Sequence, residues 1–179
     1  MEDKLLILRF KRGSTDALCR IYEKYEAAML TVAAGLLNDL GAAEDVVHDV
    51  FVALVETPQR LRLAGSLRSY LATCVANRAR DRLRTQTRQR RCSKTVENAE
   101  EDEATPLGAM VRDEQWRCLA EALAQLPYEQ REVIMLRLHG DLTFHAIAGS
   151  TGVSINTVQS RYRYGIDKLR LLLNGEVPR

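Results

Sequence analysis

Apolar residues in this chain recur at three- and four-residue steps, and no segment alternates with a period of two. Helix side chains return to one face about every 3.6 residues and strand side chains every second residue, so the pattern predicts helices packed on helices. Leu18, Ile21, Tyr22, Tyr25, Met29, Val32 and Leu36 form one stripe. Val46, Val47, Val50, Phe51 and Leu54 form a second, entered after the breaker Asn38-Asp39-Leu40-Gly41. Leu67, Tyr70, Leu71, Cys74 and Val75 form a third, with Ser66 placed as its N-cap. Further on, Leu119, Leu123 and Leu126 run up to Pro127, which ends that helix or starts the next. Val133, Ile134, Leu136 and Leu138 follow and end at Gly140, before a short helix at 144–149 and a long one at 155–173. The fold class is all-α.

The chain is 179 residues long, which suits one domain or two small ones. The stretch from Thr95 to Thr105 is polar and acidic, lacks aromatic residues and is followed by Pro106 and Gly108. Such a stretch buries too little apolar surface to offset its ordering entropy. The division predicted is a helical domain at 1–84, a flexible linker at 85–110 and a second helical domain at 111–175.

Charge nearly cancels, 26 basic against 24 acidic residues, yet it is zoned. Six acids and no Lys or Arg lie between Tyr25 and Gln59, whereas eleven basic residues and the single acid Asp81 lie between Arg60 and Lys94. Blocks of one sign suggest surfaces for partners of the opposite sign.

Several classes are excluded as expectations. No run of apolar residues is long enough for a membrane span, and the opening MEDKLLILRFKRG lacks the cationic start and long apolar core of a secretory signal. Cys19, Cys74, Cys92 and Cys118 have no CxxC spacing and read as reduced thiols, with Cys74 packed on an apolar stripe. His48, His139 and His145 have no metal-ligand spacing, and no phosphate loop or nucleophile elbow occurs. The expectation is no enzyme, no metal and no cofactor.

Two constellations carry positive information. The first is a helix-turn-helix spacing: Thr143 caps the first helix, Ile147 and Ala148 face inward, Gly152 makes the turn and Val158 locks the second helix back. That second helix presents Asn156, Thr157, Gln159, Ser160, Arg161, Arg163 and Tyr164, whose amide, hydroxyl and guanidinium groups suit base edges and phosphates. The second constellation continues the third stripe, where Arg80, Arg84, Arg88 and Arg91 share one side of a helix. Such a line of charge can follow a phosphate backbone. The loop ahead of it is basic through Arg60 and Arg62, and with Tyr70 and Asn77 it has the chemistry to hold a base drawn from the stack.

With these motifs together, the chain resembles a group IV, or extracytoplasmic-function (ECF), sigma factor of the sigma-70 family, the kind that carries only regions 2 and 4. Gly13 to Leu18 with Tyr22 and Tyr25 resembles region 2.1, and Ala43-Glu44-Asp45-Val46-Val47-His48-Asp49-Val50-Phe51 is similar to the region 2.2 signature. Ser69-Tyr70-Leu71 with Asn77 and Asp81 resembles regions 2.3 and 2.4. Leu126-Pro127, Leu142-Thr143-Phe144 with Ile147-Ala148, and 153–161 resemble region 4. The departures are His48 for Gln, Tyr70 for Trp, Leu61 for an aromatic, Ala146 for Glu, and Gln159 for a basic residue.

The resemblance implies a non-catalytic bacterial cytoplasmic factor that directs promoter-specific transcription initiation. Asp45, Val46, His48, Asp49 and Phe51 would bind the coiled-coil of the largest subunit of core RNA polymerase, and region 4 its flap. Arg60, Leu61, Arg62, Tyr70, Asn77, Arg80, Arg84 and Arg88 would hold the opened strand at −10 of promoter DNA. The helix bearing Asn156, Thr157, Gln159, Ser160, Arg161, Arg163 and Tyr164 would enter the major groove at −35. An anti-sigma factor is a further implied partner. A linker from 85 to 110 would span about 85–95 Å at ~3.3–3.6 Å per residue, enough for about two helical turns of DNA, ~70 Å. Two other readings stay open: an ordinary helix-turn-helix activator, and a sigma-like protein that titrates an anti-sigma factor. The zoned charge counts against the first and the arginines from Arg78 to Arg91 against the second.

Overall fold

The computed structural model describes residues 2–61, 65–93 and 114–174, with the side chains of 2, 60, 90–93 and 114–116 outside the description. Among the described residues there are eight α-helices, one 3₁₀ turn and no strand. Helices α1 (Glu2–Lys11), α2 (Thr15–Leu37), α3 (Leu40–Glu56) and α4 (Leu67–Ser93) form a first module, with the 3₁₀ turn at Pro58–Arg60. Helices α5 (Glu114–Ala124), α6 (Tyr128–Leu138), α7 (Phe144–Thr151) and α8 (Ile155–Leu173) form a second.

Local signals set most boundaries. The Ser14 hydroxyl accepts the Ala17 amide and starts α2. At its other end Asn38 adopts a left-handed conformation (φ 54°), and its amide closes on the Ala34 carbonyl at 2.9 Å. Asp39 then caps α3 by accepting the Ala42 amide at 2.9 Å. Ser66 caps α4 through the Ser69 amide, as the sequence predicts. In the second module Thr143 caps α7, Gly152 turns the chain at φ 72°, and Ser154 caps α8.

The second stripe is buried as predicted, from Val46 through Leu54. In the first, Ile21, Tyr25, Met29, Val32 and Leu36 are buried, while Tyr22 lies partly in solvent. The third buries Leu67, Leu71 and Val75 and leaves Tyr70 and Cys74 half-buried. Burial raises the Cys74 thiol above its usual value, as fits a packed cysteine. Helix α1 lies outside the predicted stripes. Its Leu6, Ile7 and Phe10 are buried, and its Asp3 carboxylate accepts from Lys24 Nζ and the Tyr25 hydroxyl, each at 2.7 Å. Desolvation and then that bond push the Tyr25 phenol up to about 12.

Two expectations need correction. Helix α4 continues nine residues past 84, to Ser93, because 85–93 carry no breaker and their threonines back-bond within the helix. The linker therefore does not begin at 85, and 94–110 lie outside the described residues. Leu138 is exposed, and Met135 takes its place among the buried residues of α6.

The modules are packed against each other. Met135 of α6 fills the notch left by Gly35 of α2, where an added Cβ would stand 2.6 Å from the Met135 methyl. Gly140 sits so close to Ala72 of α4 that a Cβ there would lie 2.9 Å from the alanine methyl. Arg68 Nε donates to the His139 carbonyl at 2.8 Å, and Ser69 Oγ to the Asp141 carbonyl at 3.2 Å.

Candidate nucleic-acid interface

Helix α4 distributes its arginines between two jobs. Arg78 donates to Asp49 at 2.8 Å and 3.0 Å, and Arg82 to Asp45 at 3.1 Å, so its α3-facing side neutralises the acidic helix. The opposite-sign blocks in the sequence are thus in part each other's neighbours. Arg84 and Arg88 are exposed and form no ion pair among the described residues. Arg80, on the same line, bonds Asn77 Oδ1 at 3.1 Å and also Glu132 of α6.

Beside this line, Tyr70, Asn77 and Cys74 of α4 share a cavity of about 660 Å³ with Asp49 and Ala53 of α3 and with Thr57 just past its end. An aromatic ring, an amide and a hydroxyl are the groups that stack on and hydrogen-bond an unstacked base. Leu61 does not join them. It is 1% exposed and packs in the core, so it offers a base no surface and drops out of the predicted set. Arg62 and the side chain of Arg60 lie outside the described residues.

On α3, Asp45 and His48 are exposed and Asp49 half-buried, with the two carboxylates already paired to Arg82 and Arg78 of α4. Val46 is 1% exposed and faces the core, so it too leaves the predicted contact set. Phe51 is nearly buried, with its ring edge-on to Tyr22 at 4.8 Å. It floors an apolar groove of about 440 Å³ with Leu18, Tyr22, His48, Val52 and Val55. Sequence reasoning missed Val52 and Val55. The signal was present: 48, 51, 52 and 55 are spaced i, i+3, i+4 and i+7 beside the core stripe, which makes α3 apolar on more faces than one core contact uses.

In the second module α8 crosses α6 at Gly165, where a Cβ would stand 2.7 Å from Ile134 Cδ1. This contact fixes α8 and aims Asn156, Gln159 and Arg163 at solvent along one face. Tyr164 is 59% exposed and carries the Arg163 guanidinium 5.2 Å above its ring. Thr157 and Ser160 are half-buried, the Thr157 amide being held by the Ser154 cap. Arg161 is turned toward the first module, where it lines a cleft of about 680 Å³ with Arg80, Arg84 and Arg88.

Fold and surface together define a two-module helical protein with a basic helix on one module and a helix-turn-helix on the other. The family profile for Sigma-70 region 2 matches residues 21–89 and that for Sigma-70, region 4 matches 122–171. The chain is 30% identical over 172 residues to the RNA polymerase sigma factor CarQ of Myxococcus xanthus, covering 94% of this chain and 95% of that protein. It is 28% identical over 154 residues to the ECF RNA polymerase sigma factor SigL of Mycobacterium tuberculosis, covering 86% of each. In fold it is similar to the sigma factor RpoE solved with the anti-sigma factor NepR from Bartonella quintana, at TM-score 0.68, 22% identity, 89% of this chain and 97% of that one. It is also similar to CnrH solved with the cytosolic domain of CnrY, at TM-score 0.67, 21% identity, 98% of this chain and 99% of that one. The chain belongs to the sigma-70 family of RNA polymerase sigma factors, within its ECF group. No described helix is long and apolar enough to cross a membrane.

Proposed function

We propose that this sigma factor binds core RNA polymerase through α3 and reads promoter DNA with α4 at −10 and α8 at −35. The observation that carries the reading is the order of surfaces along one chain: an acidic and apolar α3, then an arginine-lined α4 beside a cavity of about 660 Å³ that holds Tyr70 and Asn77, then an exposed recognition face on α8. Asp45, Asp49 and His48 meet the basic coiled-coil of the polymerase largest subunit while the groove over Phe51 takes an apolar side chain from it. Tyr70 and Asn77 hold an unpaired base of the opened strand, and Arg80, Arg84 and Arg88 follow its phosphates. Asn156, Gln159 and Arg163 face base edges in the major groove, with Ser160 and Thr157 at the phosphates.

The protein acts by binding alone, performs no chemistry of its own and works in the bacterial cytoplasm, where core polymerase is. An anti-sigma factor belongs to the same reading, supported by the similar structure of RpoE, which was solved with the anti-sigma factor NepR. Run-off transcription with purified core polymerase and a promoter library tests the proposal. Transcripts from a subset of promoters sharing −35 and −10 elements are the expected result, and no transcript above core alone overturns it.

A further inference from the structure

The cleft of about 680 Å³ beside α4 is rich in cationic donors and poor in anything to balance them. Arg84 and Arg88 line it from α4 and Arg161 lines it from α8, and none of the three forms an ion pair among the described residues. Arg80 is committed to Asn77 and to Glu132, so that pair adds no net charge. The remaining acid at the cleft is the exposed Glu129, which leaves three guanidinium groups against one carboxylate. Like charges gathered in one recess repel, and an anion placed among them relieves that repulsion.

The neutral donors on the wall are already in use. The Thr87 hydroxyl donates to the Leu83 carbonyl at 2.8 Å, and the Thr151 hydroxyl to the Ile147 carbonyl at 2.7 Å. A sugar or an alcohol would therefore meet only charged donors, whereas a phosphate matches them, because each guanidinium fork takes two oxygens of one phosphate side by side. An orthophosphate has fewer oxygens than three forks can contact, and a chain of phosphates offers one group to each fork. The volume falls within the range of about 300–1,000 Å³ typical of small-molecule sites.

We propose that this cleft is a binding site for a small molecule carrying a chain of two or three phosphates, held by Arg84, Arg88 and Arg161 together. The site goes beyond the promoter-binding role. Promoter DNA places α4 and α8 on elements about two helical turns, ~70 Å, apart, so guanidinium groups that converge on one cleft answer to a smaller anion.

The test is isothermal titration calorimetry of the full chain in magnesium-free buffer at about 150 mM salt, where charges more than ~8 Å apart are screened. Tripolyphosphate should bind the wild-type chain at one site per molecule, at least about tenfold more tightly than orthophosphate, which fills fewer forks. Arg84→Gln, Arg88→Gln and Arg161→Gln should each weaken it at least about fivefold, the scale of a lost hydrogen bond to a charged group. Arg20→Gln and Arg170→Gln remove the same charge from exposed positions outside the cleft and should stay within about twofold of wild type. Circular dichroism confirms that helix content is kept, and Arg161→Lys, which keeps the charge but loses the fork, should weaken binding as well. Adenosine triphosphate in the same titration separates two sources of the phosphate chain. Tighter binding than tripolyphosphate assigns the site to a nucleotide, and equal or weaker binding assigns it to inorganic polyphosphate. Absence of a one-site isotherm with tripolyphosphate overturns the proposal. Full affinity in both Arg161 variants also overturns it, because α4 alone would then account for the binding. An equal loss in the Arg20 and Arg170 variants does the same, because net charge would then suffice.

Discussion

Arginines on α4 that look equivalent in sequence should behave differently on DNA. Arg84 and Arg88 stand in solvent without an ion pair among the described residues, whereas Arg78 and Arg82 are held by Asp49 and Asp45 of α3. Each phosphate contact to single-stranded DNA contributes about 0.7 unit to the slope of log affinity against log salt, a ~2.6-fold loss between about 50 and 200 mM. Arg84→Ala should therefore flatten the slope by about 0.7 unit, and the double change with Arg88→Ala by ~1.4 units, so that the gap to wild type shrinks ~7-fold across that range. Arg78→Ala and Arg82→Ala should leave the slope unchanged and cost only what an exposed ion pair is worth, about 0–1 kcal/mol of fold stability. The assay is anisotropy of a labelled −10 strand titrated with holoenzyme across a potassium chloride series. If Arg78→Ala flattens the slope as much as Arg84→Ala, the division of labour inferred from the ion pairs is wrong.

Other outcomes follow from other contacts. Gln159→Ala should lose about 1–3 kcal/mol on the preferred −35 element and little on a scrambled one, read by open-complex formation on both promoters. Val52→Asp puts a carboxylate beside Phe51 in the apolar groove, where Val52 is 40% exposed and free to be covered by a partner, and forfeits about 1.5 kcal/mol of apolar burial, so titration of labelled core polymerase should show about a tenfold weaker complex. Gly152→Ala meets nothing in space but must adopt φ 72°, at a cost of about 1–2 kcal/mol that should lower the melting temperature by several degrees in calorimetry. Burial, and then Arg68 across the module contact, hold the His139 imidazole below its usual value. A chain with its modules parted binds the proton more readily, so the module contact is tightest above the ordinary imidazole range near ~6.5 and weakens as pH falls through it. A radius of gyration that does not grow from about pH 8 to 5.5 would contradict this.

Elements with a strong local code were legible. Ser66, Thr143 and Gly152 carry out the capping and turning their residue types suggest, and α8 runs from Ile155 to Leu173 as its periodicity indicates. Helix α1 was not, because a short apolar run flanked by charges becomes helical only against α2, where Lys24 and Tyr25 take up Asp3. Leu61 could not be placed from sequence, since a loop residue has no periodicity to say which way it points. The Arg80–Glu132 pair spans 52 residues and leaves no local trace. The nearest hint was the run Val133-Ile134-Met135-Leu136, four consecutive apolar residues that a helix covered on one side alone does not need.

That doubly covered α6 has a consequence for the life of the chain in water. Met135, Ala72 and the small-residue end of α2 are matched surfaces, and parting them without a substitute wets apolar area on both modules. The bare opened chain is accordingly adhesive, and at high concentration the notch at Gly35 in one molecule can receive Met135 of another. Such an exchange would link copies through an unchanged contact, the arrangement known as domain swapping. Opening that happens on the polymerase surface avoids this exposure. The same face that keeps the solitary protein compact therefore favours assembly with polymerase over an independent search of DNA.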